Sequence, residues 1–139
     1  MLINGRFLTQ RITGVQRFAR EIIDTSSKLN LITASYDEIL VPRHTLAETS
    51  FAEIPLRSMG VLQGHGWEQT ELFPYARDSL LLNLCNTAPI LRQEQLVVLH
   101  DAAVAAMPEN FSWSFRTWYR VMIRCYSQRA KIIATVSKF

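Results

Sequence analysis

DSLLLNLC at residues 78–85 and LVVLHD at residues 96–101 are two nearly unbroken apolar runs, and each gives way to polar residues at its end. A strand with one wet face alternates polar and apolar residues. A run without alternation suits a strand covered on both faces, as in a parallel sheet with helices above and below. Downstream, SFRTWYRVMIRCYSQRA (114–130) sets Phe115, Trp118, Tyr119, Met122 and Tyr126 on one helical stripe. KIIATVS (131–137) then returns to a buried strand. Upstream, MLINGRFL (1–8) reads as a strand, and VQRFAREIIDTSSKL (15–29) puts Val15, Phe18, Ala19, Ile22 and Ile23 on one apolar helical face. LITASY (31–36) reads as the next strand, followed by ILVP, which Pro42 ends. Residues 43–66 are mixed in character, and WEQTELFPYAR (67–77) reads as a short helix.

This alternation predicts an α/β fold, a Rossmann-like parallel sheet flanked by helices, as one domain over residues 1–139. No internal repeat, low-complexity tract or linker interrupts it. The sequence stops two residues after the last strand, where a doubly wound fold would place another helix, so the domain is expected to be incomplete at its C-terminal end.

Composition excludes several classes. With 139 residues and 48% hydrophobic content, the chain can bury one core. Fifteen Lys and Arg against twelve Asp and Glu leave a net charge of +3, too mild to argue for a nucleic-acid partner. The first residues form no signal-peptide core and no apolar run reaches a membrane span, which predicts a cytoplasmic protein. Cys85 and Cys125 lack any zinc or redox spacing and read as reduced thiols, and neither His44 nor His65 has metal-ligand spacing.

Ligands of open parallel sheets sit outside the carboxyl ends of the strands. Three strand ends therefore hold the candidate chemistry. In RFLTQRITGVQRF, Thr13 and Gln16 are spaced as a capping box that starts a helix, and Gly14 sits where backbone can approach a ligand. Val15 and Arg17 complete that first turn, whose free amides and dipole favour a phosphate; a plain tight turn at Gly14 is the alternative. In LVVLHD, His100 and Asp101 form a strand-end polar pair able to bind a sugar hydroxyl and orient a neighbour, or else simply to cap the strand. In LLLNLCNTAP, Asn83 and Asn86 follow the apolar run, and Asn86 with Thr87 and Pro89 makes a polar strand-end loop suited to carbohydrate hydroxyls or to an ordinary turn. GHGWEQ begins like a dinucleotide fingerprint, but Gln69 occupies the last glycine position and no strand-turn-helix context is evident.

INGRFLTQRITGVQRFAREI, GHGWEQTELFP, LLLNLCNTAPI, VVLHDAAVAAMPENFSWSFRTWYR and IIATVSKF, in that order, resemble the successive blocks of bacterial family 4 glycosyltransferases. The resemblance covers nearly the whole chain. It implies the N-terminal, acceptor-side half of a GT-B enzyme that transfers a sugar from a nucleotide-sugar donor with retention and without a bound metal or other cofactor. It also implies a glycan or lipid-linked acceptor in surface polysaccharide synthesis. By the same resemblance Gly14 lies against the donor diphosphate, with Thr13, Val15, Gln16, Arg17 and Asn86 around the substrate, while His100 and Asp101 stand near the transferred sugar. The donor site of such enzymes lies mostly in a C-terminal domain with a pair of spaced glutamates, which these residues do not contain, so the chain alone is expected to be inactive. The alternative is a non-catalytic α/β binding module of the same ancestry. Finally, Arg116, Arg120 and Arg124 recur every four residues as a basic stripe near Trp113, Trp118 and Tyr119, which suggests peripheral contact with the inner membrane surface.

Overall fold

The computed structural model describes residues 1–43, 49–100, 109 and 112–136. Its centre is β1 (Leu2–Asn4), which runs into a 3₁₀ turn, Gly5–Thr9, and then into α1 (Gly14–Lys28). Next come β2 (Glu38–Pro42), β3 (Ser50–Phe51) and β4 (Ile54–Met59). A continuous helical segment follows, made of α2 (Gly64–Trp67), a π-helical turn (Glu68–Leu72) and α3 (Phe73–Tyr75). The wide turn immediately precedes Pro74, which has no N–H to donate and whose ring crowds the carbonyl four residues back. The remaining elements are β5 (Leu81–Asn83), β6 (Gln95–Leu99), α4 (Trp113–Arg129) and β7 (Ile132–Thr135).

The strands form one sheet in the order β3-β4-β2-β1-β5-β6-β7. Every pairing is parallel except β3 with β4. The architecture is thus α/β with a seven-stranded, mostly parallel sheet and helices on both faces, compatible with a Rossmann-like arrangement. On one face α1 lays Ala19 and Ile23 over Ile3, Ile39, Val41 and Val98. On the other, the segment from Gly64 packs Trp67 and Leu72 on Leu40 and Leu81, and α4 packs Tyr119, Met122 and Tyr126 on Val97. Tyr126 is tied further, its hydroxyl donating to the Ala88 carbonyl and accepting from the Ala88 N–H, both at 2.9 Å. No helix among the described residues is long and apolar enough to cross a membrane.

The structure corrects the sequence reading in five places. The strand read over MLINGRFL ends at Asn4, where Asn4 Oδ1 accepts from the Arg6 N–H and the chain turns into the 3₁₀ segment. KIIATVS forms a strand at the edge of the sheet that is largely exposed rather than buried. LITASY is not a strand: Asp37 accepts from the Thr33 N–H at 2.8 Å and the Asp37 N–H returns to the Thr33 carbonyl, closing a turn that leaves only Ile32 inside. This local bonding competes with sheet formation, and the strand begins at Glu38 instead. Within the unassigned stretch a hairpin joins β3 to β4 through Ala52 and Glu53, both with positive φ (50° and 66°), as a two-residue turn of that kind requires. GHGW does follow a strand and a loop and does open a helix, so its context is strand-turn-helix after all.

Candidate functional site

From β1 the chain passes to β2 on one side, while β5 lies on the other. The crevice beyond the carboxyl ends of β1 and β5 is therefore the topological switch point, where open α/β sheets bind ligands. Leu2 pairs with Leu81 and Ile3 with Leu82, so Asn4 and Asn83 meet at that end on the same face. Asn4 Nδ2 donates to Asn83 Oδ1 at 3.0 Å, and Asn83 Nδ2 donates to Gln95 Oε1 at 3.2 Å.

Above this amide relay sits Glu68, fully buried. Its Oε1 accepts from Asn4 Nδ2 (2.9 Å) and Thr87 Oγ1 (2.8 Å), and its Oε2 accepts from an Arg6 guanidinium nitrogen at 2.5 Å with His65 Nδ1 at 3.3 Å. Burial pushes this carboxyl up. His65, Arg6, Asn4 and Thr87 together outweigh burial and hold it below the ordinary carboxylate value of 4.5. Glu68 is therefore a buried anion whose lone pairs are all engaged. Beside it the Cys85 thiol is pushed up to about 12, by burial first and then by the Glu68 charge, and is held as an inert thiol.

A cavity of about 220 Å³ opens next to this cluster. The start of α1 contributes Thr13, Val15 and Gln16; the loop after β5 contributes Asn86 and Thr87; and α4 contributes Phe115, Trp118 and Tyr119. His65 joins them, its ring edge-on to Trp118 at 5.8 Å between centroids. The Trp118 indole Nε1 is buried without a hydrogen-bond partner. A buried donor in that state costs free energy until a ligand or water pairs with it.

Four of the sequence-derived binding residues, Thr13, Val15, Gln16 and Asn86, thus come together in one cavity. The capping box forms, with the Thr13 N–H donating to Gln16 Oε1 at 3.2 Å. The first helical bond runs from the Arg17 N–H to the Thr13 carbonyl at 2.9 Å, which leaves the amides of residues 14–16 ahead of the ladder. Gly14 and Arg17 lie exposed on the same turn, outside the cavity lining. At Gly14 an added Cβ meets nothing within 4 Å, and its φ lies outside the left-handed region, so no tight turn demands glycine there.

His100 does not line the cavity. Its Nε2–H donates to the Leu84 carbonyl at 2.6 Å, its ring packs edge-on against Phe18 at 4.7 Å, and its N–H donates to Asn86 Oδ1 at 2.7 Å. The Leu84 bond puts the proton of the neutral ring on Nε2. Asn86 itself adopts φ 62°, a left-handed turn that asparagine tolerates, so it is both a turn residue and a cavity wall. Asp101 and His44 lie outside the described residues. Among the described residues no group of three or more His, Cys, Asp or Glu side chains could hold a metal ion.

Sequence reasoning did not assign Asn4, Arg6, His65, Glu68 or the inward-facing Trp118 to the site. The one available signal was the spacing of His65 and Glu68, one helical turn apart in GHGWE. Comparison of the chain with family models, with curated proteins and with solved structures finds no match.

Proposed function

We propose that this chain is the acceptor-side domain of a retaining, GT-B glycosyltransferase of family 4, which transfers a sugar from a nucleotide-sugar to a glycan or lipid-linked acceptor. The observation that carries the reading is the makeup of the switch-point cavity. A sugar ring has an apolar C–H face and an edge of hydroxyls. Trp118, Phe115 and Tyr119 offer surface to the first; Thr13, Gln16, Asn86, Thr87 and the unpaired Trp118 Nε1 offer hydrogen bonds to the second. The open turn at Gly14, with its forward amides, suits an anionic diphosphate approaching from outside. The order of sequence blocks supports the same family. Transfer itself requires a second domain to grip the nucleotide, which these 139 residues do not supply.

Titrating the purified chain with glycan fragments, with calorimetry as the readout for wild type and variant and tryptophan fluorescence for wild type alone, tests the proposal. Glycans are expected to bind weakly and to perturb Trp118. Trp118→Phe, which keeps a ring and removes the N–H, should weaken binding about fivefold, the loss of one neutral hydrogen bond of roughly 1 kcal/mol. The same chain should release no sugar from any nucleotide-sugar. Measurable turnover, or glycan binding indifferent to Trp118→Phe, overturns the assignment.

A further inference from the structure

We infer that the cavity at the amino ends of β5 and β6 binds a small organic acid, its carboxylate or phosphate head held by Arg92 and its apolar body packed on Phe73, Pro74 and Leu91. The cavity measures about 510 Å³, within the roughly 300–1,000 Å³ of small-ligand sites. It lies at the opposite edge of the sheet from the switch point. Helix α3 and the turn after it supply Phe73, Pro74 and Arg77, and residues 91–94, which lead into β6, supply the rest.

An exposed guanidinium is solvated by water, as Arg120 and Arg124 are on α4, with Arg116 half-exposed one turn before them. A buried one is costly unless it is paired. Three charged side chains are buried among the described residues: Asp37 meets the N-terminal ammonium at 2.9 Å, Glu68 meets Arg6, and Arg92 has no carboxylate within ion-pair distance. The Arg92 Nε–H donates to the Glu94 carbonyl at 3.0 Å and Nη2 donates to the Ser79 carbonyl. Among the described residues Nη1 has no partner, and the side chain lines the cavity. Glu94 and Asp78, whose charges reach Arg92, both stand beyond ion-pair distance, and Glu94 is bound to Lys131 at 2.7 Å.

An anionic head in the cavity supplies the missing counter-charge, because carboxylate and phosphate oxygens accept strong charge-assisted bonds from a guanidinium. Arg77 adds a second positive charge at the rim. Leu91, 56% exposed, offers the body of the ligand apolar surface that water now covers. The site shares no residue with the switch-point cavity and does not depend on the sugar-transfer reading.

Titration of the isotope-labelled chain with phenylacetate, phenyl phosphate, neutral phenylacetamide and inorganic phosphate, followed by amide NMR shifts, is the test. Both aromatic acids should shift the amides of residues 91–95 and the Arg92 Nε–H. Each should bind at least about tenfold more tightly than phenylacetamide, whose neutral head forgoes the charge-assisted bonds, and more tightly than inorganic phosphate, which lacks the apolar body. A preference for either acid supports the site and identifies its head. Arg92 also ties the Ser79 and Glu94 main chain, so the exposed rim carries the mutational test. Leu91→Asp, which sets a like charge beside the head, should weaken both acids at least about tenfold, and Arg77→Gln should weaken them several-fold, at unchanged melting temperature. Equal binding of phenylacetate and phenylacetamide, no shift at residues 91–95 with either acid at millimolar concentration, or binding indifferent to Leu91→Asp overturns the inference and leaves Arg92 as a tie between two loops.

Discussion

The polar groups at the ends of β1 and β5 and those at the end of β6 stand at the same edge of one sheet, yet they are held in opposite ways. Glu68 is inside, charged, and answered on both oxygens by Asn4, Thr87, Arg6 and His65, which come from three separate parts of the chain. His100 is half-buried and held by its near surroundings: the Leu84 carbonyl, the Asn86 side chain and the face of Phe18. A carboxylate with every lone pair engaged has little capacity left for a ligand. It acts as the floor that fixes Arg6, His65 and Thr87. Under the proposed function, recognition would fall to groups with bonds still to make, among them the Trp118 Nε1.

Removing a member of the floor should have the largest effect. Arg6→Met leaves the buried Glu68 charge without its closest cation, and breaking a buried pair in this way costs about 3–5 kcal/mol. Chemical denaturation measures it. Acid provides a second handle on the same group. Because the folded-state value of Glu68 lies below the ordinary 4.5, its stabilising contribution is complete above that pH and is lost as pH falls through the lowered value. The acid limb of a stability–pH curve should therefore flatten in Glu68→Gln. An Arg6→Met protein as stable as wild type would erase the distinction between the two clusters.

At the end of β6 the expected effect on stability is smaller. His100→Ala gives up one hydrogen bond and one edge-on ring contact, together about 1–2 kcal/mol. In an enzyme that contains this domain, a His100 that touches the transferred sugar would also lower kcat by about a hundredfold, as loss of one transition-state hydrogen bond does. A near-normal kcat with the expected fall in Tm would class His100 with Glu68 as scaffold and sharpen the case for Trp118.

What sequence revealed follows the range of each interaction. The runs DSLLLNLC and LVVLHD, the capping box at Thr13 and the stripe on α4 are all written in neighbouring residues, and each lies where the pattern put it. The β3-β4 hairpin was hidden because its turn residues, Ala52 and Glu53, are not the glycine and asparagine that usually supply positive φ. LITASY carried strand-forming residues, but one side chain, Asp37, redirected it into a turn. The Glu68 cluster was the least legible. Its bonds span sequence separations of 64 to Asn4, 62 to Arg6 and 19 to Thr87, and no local period encodes a partner so distant.

The smallest expected effect on stability concerns two glycines near this edge. Gly5 is locked: an added Cβ would lie 2.7 Å from the Leu40 carbonyl oxygen and 2.5 Å from Ile39 Cγ2, so packing alone accounts for glycine. Gly14 has open space around it and an ordinary φ, so nothing among the described residues accounts for glycine there. Gly14→Ala should leave stability unchanged or raise it by up to about 1 kcal/mol, because alanine restricts the unfolded chain more than glycine does. The methyl group would nevertheless stand beside the forward amides of α1, where the proposed diphosphate must come close. In an enzyme that contains this domain, KM for the nucleotide-sugar should then rise about tenfold, roughly 1.4 kcal/mol of lost contact, while Tm holds. A fall in Tm of the isolated domain would mean that Gly14 is structural, like Gly5. An unchanged Tm with an unchanged KM would mean that the donor does not approach this turn, and the diphosphate contact would have to be sought elsewhere on the rim of the switch point.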